Sequence, residues 1–487
     1  MMGLFGVAPE PWPPLSGGAF TGQPQPSSPD PLVAYQFNAG TNDTTLQIFS
    51  VAAVSVGGTP STSFTNTNSA VGSVRCSIGV EGGGTLLIDF GVELPAWLEF
   101  DSSDLLLVDA TLISMGISEY NVLGYLGDYK KSQPTVYCGG GVDLSDSLCT
   151  YRLETNSDLY EGVRYGFLTL PRAPSRNFTI TGLRAVSQAK PVNYTGSFSS
   201  PGDPILERIW YTAAYTVRAT LQTNYMGSIL MDRGDRFSWA GDAHPTQATA
   251  MAAFGSFDIV FQNLDRSKGD CQGIATYCLY FVLSVSDYYW ATNNKSAVEY
   301  LTKSITDNLE KSLEMWDNPE SLRFIGWDDR TGSGFANNTN PETQNIYRLL
   351  SIRTLSAAAA LFNATGATSL AYHYAAAAAN CTKKIRTMGG GGGGGGGSAS
   401  ARPWYSSFGL HASADAVNAG FLSAEEQAGI AAGPLGDIVK LPSQSNFNQY
   451  FILQALSGLG QLDRAIESIR VVWGPIIELG ATTCVID

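Results

Sequence analysis

At about residue 203 the spacing of apolar residues along this 487-residue chain changes period, and that change constrains any fold it can adopt. Upstream, from about 31 to 198, short runs rich in β-branched residues are broken by Gly, Pro and Asn. They include LQIFSVAAVSV (46–56), GTLLIDFGV (84–92), DLLLVDATLISMG (104–116), YGFLTL (165–170) and FTITGLRAV (178–186). Such runs read as strands of an antiparallel sandwich or of paired sheets. Downstream, ILERIWYTAAYTVRATL (205–221) sets Ile205, Ile209 and Tyr215 at helical spacing. Further helical stretches are predicted at about 245–264, 273–292, 295–316, 341–362, 367–387, 413–419, 423–432, 446–458 and 461–472, with no clear strand among them. A closed ring of helical hairpins is the natural arrangement of such a series. An α-solenoid competes, but no self-similarity at ~34–47 residues is visible. The chain therefore reads as multidomain: an antiparallel β-sandwich domain over 31–200, then a helical barrel over 201–487.

Two segments stand outside this scheme. Residues 1–30 are rich in Pro, Gly and Ser and read as an arm. Gly389 to Gly397 is an unbroken run of nine glycines, too permissive to specify a conformation. It reads as a flexible loop or a placeholder for another segment, and it carries no chemistry.

Hydrophobic residues make up 44% of the chain, enough for a large core, and the net charge is −14. A surface of that sign repels nucleic-acid phosphates and offers nothing to anionic lipids. No apolar run approaches the ~18–20 residues needed to cross a bilayer, so neither nucleic acid nor membrane is an expected partner. The opening MMGLFGVAPEPWPPLSGG shows no basic n-region followed by an apolar h-region, so no signal peptide is visible. Asn-x-Ser/Thr sequons at Asn42, Asn177, Asn193, Asn294, Asn337, Asn363 and Asn380 nevertheless favour a secreted glycoprotein. Cys138 and Cys149 flank a Gly-rich turn and are expected to form a local disulfide. Cys271 and Cys278, on one continuous helix, would stand ~10 Å apart, too far for a bond. No CxxC pair occurs, and His244, His373 and His411 are too few and scattered for a metal cluster; no cofactor is expected. Serine-hydrolase, zincin and phosphate-loop patterns are absent.

The densest chemistry lies in SILMDRGDRFSWAGDAHPTQATAMAAFG (228–255). It packs Asp232, Arg233, Asp235, Arg236, Trp239, Asp242 and His244 into thirteen residues before an Ala-rich helix. Charged groups beside a Trp suit a sugar pocket, where the indole stacks on a ring's C–H face and carboxylates and Arg bind hydroxyls. Desolvation beside Trp also raises a carboxyl pKa toward general-acid duty. The alternative is an Asp–Arg knot at a helix entrance, with Asp242 as the helix cap. The adhesion tripeptide Arg233-Gly234-Asp235 is set aside in this context.

This stretch resembles the signature of the α-L-rhamnosidases of glycoside hydrolase family 78, roughly Asp-Cys-Pro-x-Arg-Asp-Glu-Arg-x-x-Trp-x-Gly-Asp, particularly of fungal members. Arg233, Asp235, Arg236, Trp239, Gly241 and Asp242 take the shared positions. The resemblance implies an (α/α)6 six-hairpin barrel. It places the catalytic acid on Asp235, where the family has Glu, and rhamnose contacts on Arg233 and Trp239. Ile229 and Gly234 stand where the family has Asp, with Asp232 nearby. DFGVELPAWLEF (89–100) and YEGVRYGFLTL (160–170) are similar to phrases of the family's β domain, and FVLSVSDYYWATNN (281–294) to a long barrel helix. FIGWDD (324–329) is similar to a loop that would make Trp327 a second wall of the pocket. WGPIIELGATTCVID (473–487) resembles the barrel's Trp…Gly-Ala-Thr-Thr-x-Trp-Glu end, whose Glu is the general base. Here that position holds Ile486; Asp487 is one residue later, and Glu478 is an alternative.

The mechanism implied is inverting hydrolysis of a terminal α-L-rhamnosyl bond in a small glycoside or oligosaccharide. Asp235 acts as acid and Asp487 as base, with Asp232, Arg233, Trp239, Asp242, Trp327 and His411 holding the sugar. The Tyr288-Tyr289-Trp290 trio reads first as packing. A six-hairpin glycosidase of other specificity, or a sugar-binding relative without the base, are the competing functions.

Overall fold

The computed structural model describes residues 44–46, 50–55, 61–65, 72–77, 84–103, 105, 109–122, 130–139, 148–155, 161–170, 177–187, 192–221, 238–269, 272–322, 339–388, 403–436 and 445–484. The arm at 1–30 and the run 389–397 lie outside them. The chain divides into two compact units. One takes 1–194, 215–223 and 227–237; the other takes 195–214, 224–226 and 238–487.

The first unit is antiparallel β. Its strands are β1 (Thr44–Leu46), β2 (Ser50–Ser55), β3 (Ser61–Thr65), β4 (Gly72–Ser77), β5 (Gly84–Ser102), β6 (Ser114–Ser118), β7 (Lys130–Ser132), β8 (Thr135–Cys138), β9 (Cys149–Arg152), β10 (Glu161–Leu170) and β11 (Asn177–Ser187). They form one sheet in the order β3-β4-β11-β5-β10-β6-β7. β1 adds to β11, β2 to β5, and the β8–β9 hairpin to β5 through β9. A sandwich of separate sheets was the expectation; the strands instead connect through β11, which pairs β4 over Asn177–Leu183 and then β5 over Thr181–Ser187. Strand β5, 19 residues long, pairs with β2 over Gly84–Asp89, with β9 and β11 over Ala96–Ser102, and with β10 in both parts. Between them Gly91 takes φ 77°, and its N–H donates to the Asp89 carboxylate at 2.7 Å.

Along β5 every second side chain faces the core: Leu86, Ile88, Phe90, Val92, Ala96, Leu98 and Phe100 are all buried. A Cβ on Gly166 of β10 would stand 3.3 Å from the Leu98 methyls, so Leu98 lies directly over that glycine within the core. The opposite face of β5 is polar and paired across strands. Glu99 accepts from Trp97 Nε1 at 2.6 Å, Arg152 Nε at 2.5 Å and Arg184 Nε at 2.9 Å. Cys138 and Cys149 are register partners and form the expected disulfide, with S–S 2.01 Å and Cα–Cα 4.3 Å.

The second unit is helical, and its elements follow the sequence pattern closely. The helices are α1 (Pro204–Thr220), of which residues 215–220 are counted in the first unit, α2 (Ala240–Phe254), α3 (Phe257–Ser267), α4 (Ala275–Thr292), α5 (Lys295–Trp316), α6 (Pro341–Thr365), α7 (Thr368–Met388), α8 (Leu410–Asn418), α9 (Ala424–Ala432), α10 (Asn446–Gly458) and α11 (Leu462–Glu478). The stretch expected as one helix over 245–264 is two. Gly255 ends α2 in the left-handed region (φ 59°), where its N–H and that of Ser256 return to Met251 and Ala250 carbonyls.

Packing sorts the helices into two sets. α2 packs on α4, α4 on α6, α6 on α8, α8 on α10, and α10 returns to α2. α3, α5, α7 and α11 lie against this series from outside. Burial agrees. In α4 every residue from Thr276 to Ser286 is buried, whereas α7 buries only Ala371, Tyr374, Ala378, Cys381 and Ile385, one stripe at steps of three and four.

Cys278 is disulfide-bonded, and its partner is not among the described side chains. The ~10 Å separation assumed one helix through Cys271 and Cys278, but α4 begins only at Ala275, and Cys271 lies outside the described residues. Among the described residues no helix is long and apolar enough to cross a membrane.

Candidate active site

Of the dense cluster before α2, the structure places Trp239, Asp242 and His244. Asp232, Arg233, Asp235 and Arg236 lie outside the described residues, as do Trp327, Ile486 and Asp487. The chain entering α2 is held from two sides. Ser238 Oγ donates to Asn263 Oδ1 at 2.6 Å, and the Gln272 side chain accepts the Ala240 N–H at 2.8 Å while donating to the Ser238 carbonyl. Gln272 reaches back because its own backbone is left-handed (φ 54°), followed by Gly273 (φ 78°). An L-residue there is strained, at a cost of order 1 kcal/mol or more.

Trp239 occupies the N-cap position of α2 without a side-chain capping bond, and it meets the Tyr277 ring edge-on at 6.3 Å between centroids. Gly241 explains how Tyr277 comes so close: a Cβ there would fall 2.2 Å from the Tyr277 ring. Only a bare backbone lets that ring lie across α2 and bring its hydroxyl to Asp242 Oδ2 at 2.5 Å. Asp242 is therefore not the helix cap. It sits in the first turn, where the positive end of the helix dipole favours its negative charge. The arrangement can stack a ring on Trp239 and offer it a carboxylate whose orientation Tyr277 sets.

His244 belongs to the core. It is 1% exposed, bonds Asp287 Oδ2 through Nε2 at 3.0 Å, and packs on Tyr280, Tyr450 and Phe451 at 5.6–6.0 Å between ring centroids. His411 is equally buried, in the first turn of α8. The start of α8 is gripped by Glu342 of α6, whose carboxylate accepts the Gly409 N–H at 2.7 Å and the Ala412 N–H at 3.0 Å. His373 is exposed on α7 and pairs with Glu310 at 3.1 Å. Among the described residues no group of three or more His, Cys, Asp or Glu could hold a metal ion. The first turns of α2 and α4 thus meet through Asp242 and Tyr277, and those of α6 and α8 through Glu342.

Other candidates separate clearly. Glu478 is exposed at the end of α11, Tyr288 and Tyr289 are buried, and Trp290 is exposed. Asn193, Asn294, Asn363 and Asn380 are exposed; Asn177 lies in β11, its side chain outside the description, and Asn42 and Asn337 lie outside the described residues. Asn294 also caps α5 by accepting the Ala297 N–H at 3.1 Å. Tyr277, Gln272 and Glu342 were not singled out from the sequence. Each acts across a gap of 30 or more residues, and only Glu342, following Asn340-Pro341, carried a local sign: an acid in a first turn.

The chain combines a unit of antiparallel β-strands with a unit of packed helices. No protein-family model and no curated protein matches the chain. Solved structures do. A GH78-family rhamnosidase of Bacillus sp. GL1 aligns with TM-score 0.62 at 19% identity, covering 84% of this chain and 43% of that one. A rhamnosidase from Klebsiella oxytoca, with rhamnose bound, aligns with TM-score 0.60 at 18% identity over 84% of this chain and 81% of that one. The α-L-rhamnosidase of Dictyoglumus thermophilum aligns with TM-score 0.60 at 14% identity over 84% and 47%. The chain spans less than half the length of the first and third. It has the fold of the family 78 rhamnosidases, the family its 228–255 stretch resembles.

Proposed function

We propose that this chain is a glycoside hydrolase that removes terminal α-L-rhamnose from small glycosides or oligosaccharides with inversion. The observation that carries the reading is the Trp239–Gly241–Asp242 turn, packed against Tyr277 at the start of α2, in a fold shared with rhamnosidases. In this reading residues 31–200 form the β domain, and 201–487 supply an (α/α)6 barrel whose inner wall is α2, α4, α6, α8 and α10. Asp235 protonates the leaving oxygen, and Asp487 activates water from the far side. Inversion requires ~6.5–9.5 Å between those carboxyl groups. Asp232, Arg233, Trp239, Asp242 and Trp327 hold the sugar. The enzyme is secreted, with glycans on its exposed sequons.

Replacing Asp235 by Asn lowers turnover of an aryl α-L-rhamnoside by ~10²–10⁴ while sparing rhamnose binding. Full activity in that variant overturns the acid assignment. Proton NMR of the first-released sugar reads the stereochemistry: β-L-rhamnose supports inversion, α-L-rhamnose refutes it. Ile486 at the family's base position favours one other reading, a sugar-binding relative without turnover. Calorimetric binding of rhamnose with no product from any rhamnoside would establish it.

A further inference from the structure

Two of the groups that hold the first turn of α2 stand on one short segment, and a cysteine lies directly beside each. Gln272 accepts the Ala240 N–H and donates to the Ser238 carbonyl, while Tyr277 reaches the Asp242 carboxylate. Cys271 precedes Gln272, and Cys278 follows Tyr277.

Cys278 is 3% exposed and disulfide-bonded. The chain has seven cysteines. Cys138 and Cys149 bond each other, and Cys381 and Cys484 belong to no disulfide. The partner of Cys278 is therefore Cys76 or Cys271. Cys76 belongs to β4 of the first unit, whereas Cys271 is counted with Cys278 in the second. The connection from α3 to α4 is no continuous helix: Gly269, Gln272 and Gly273 take φ of 87°, 54° and 78°, all left-handed. Gln272 and Tyr277 are anchored to points only two residues apart on α2, Ala240 and Asp242. That double anchoring draws their outer neighbours toward the Cα separation of about 4.4–6.8 Å that a disulfide requires.

We propose that Cys271 and Cys278 form a disulfide that closes residues 271–278 into a covalent ring, which sets the spacing of the two arms on the Trp239–Asp242 turn. The bond forms by exchange with a disulfide oxidant, which takes two electrons and both thiol protons and leaves as two thiols. A closed ring also leaves Gln272 few alternatives to its left-handed backbone, so the strain there persists. The pairing does not depend on the rhamnoside reading; its effect on turnover does.

Trypsin cuts after Lys268 and Lys295, so both cysteines fall in one peptide, Gly269–Lys295. After alkylation of the full chain without reduction, mass spectrometry is expected to find that peptide unalkylated and two hydrogens lighter. In Cys271→Ser, hydrogen exchange at the start of α2 is expected to rise ~10-fold while α10 keeps its protection. On an aryl α-L-rhamnoside kcat falls with it. The double variant Cys271→Ser/Cys278→Ser exchanges no faster than the single, because one bond is lost once; it also stands in if a lone Cys278 thiol mispairs and prevents folding. Mapping on the wild-type chain decides the pairing whatever the variants do. The proposal is overturned if both cysteines are alkylated, if Gly269–Lys295 is joined to the Cys76–Lys130 peptide, or if exchange at the start of α2 is unchanged in the variants. A bridged wild type that turns over no rhamnoside overturns the rhamnoside reading alone.

Discussion

α4 and α7 are neighbours in length, 18 and 21 residues, yet they show opposite relations to the core. α7 buries a single stripe and leaves Tyr372 80% exposed. α4 is buried on all sides over Thr276–Ser286 because α2 and α6 flank it while α3 and α5 cover its back. A helix surrounded in this way has no solvent face to keep polar, so its sequence carries no helical period. The difference teaches that position in a helical array, more than propensity, writes the pattern of each helix.

The sharpest way to break this comparison is truncation on each side of it. Phe281→Ala in α4 should cost about 3–5 kcal/mol in urea unfolding, and Tyr372→Ala in α7 less than about 0.5 kcal/mol. Equal losses would mean that the two sets of helices are not inner and outer. Next, Gly241→Ala drives a methyl into the Tyr277 ring and should cost about 1–3 kcal/mol together with loss of activity. Tyr277→Ala in the same chain should recover part of that stability, since the clash partner is gone. If the double variant is as unstable as the sum of the two, Gly241 is required for some other reason.

The smallest effect concerns an outer contact. Asp203 accepts the Leu206 N–H at 3.0 Å and Arg470 Nε of α11 at 2.6 Å, and these hold its carboxyl below the usual range, the backbone bond contributing most. A depressed folded pKa stabilises above the unfolded value near ~3.9 and loses that contribution as pH falls through the folded value. Asp203→Ala should therefore cost about 1 kcal/mol at pH 7, with the difference from wild type closing in acid. A difference that persists at pH 2 would show that the contact acts by packing instead.

Legibility in the sequence cuts across that division: α4 and α10 of the first set were placed within two residues, whereas α11 was read six residues short. The outer helices α5 and α7 could be read from their stripes almost to the residue, and α10 was bounded from its flanking signals. α2 and α3 were merged because an Ala-rich apolar stretch has no period to interrupt; Gly255 was the available sign. The disulfide pair Cys138–Cys149 was readable because it is local. In the site, Trp239, Gly241 and Asp242 were legible as a motif. Tyr277 was not: its importance arises only where α4 crosses α2, and no spacing within either segment encodes the crossing. The single sheet was missed for a similar reason, since nothing in the 178–186 run reveals that one strand pairs with two different neighbours along its length.

The Glu342 carboxylate stitches α6 and α8 together at their starts, 67 and 70 residues away from the N–H groups it holds. His411 lies between those two N–H groups, so the backbone that carries it is tied to residue 342. In a deep mutational scan the two positions should behave epistatically: once Glu342 is lost, changing His411 costs little more, and neither score alone measures its own side chain.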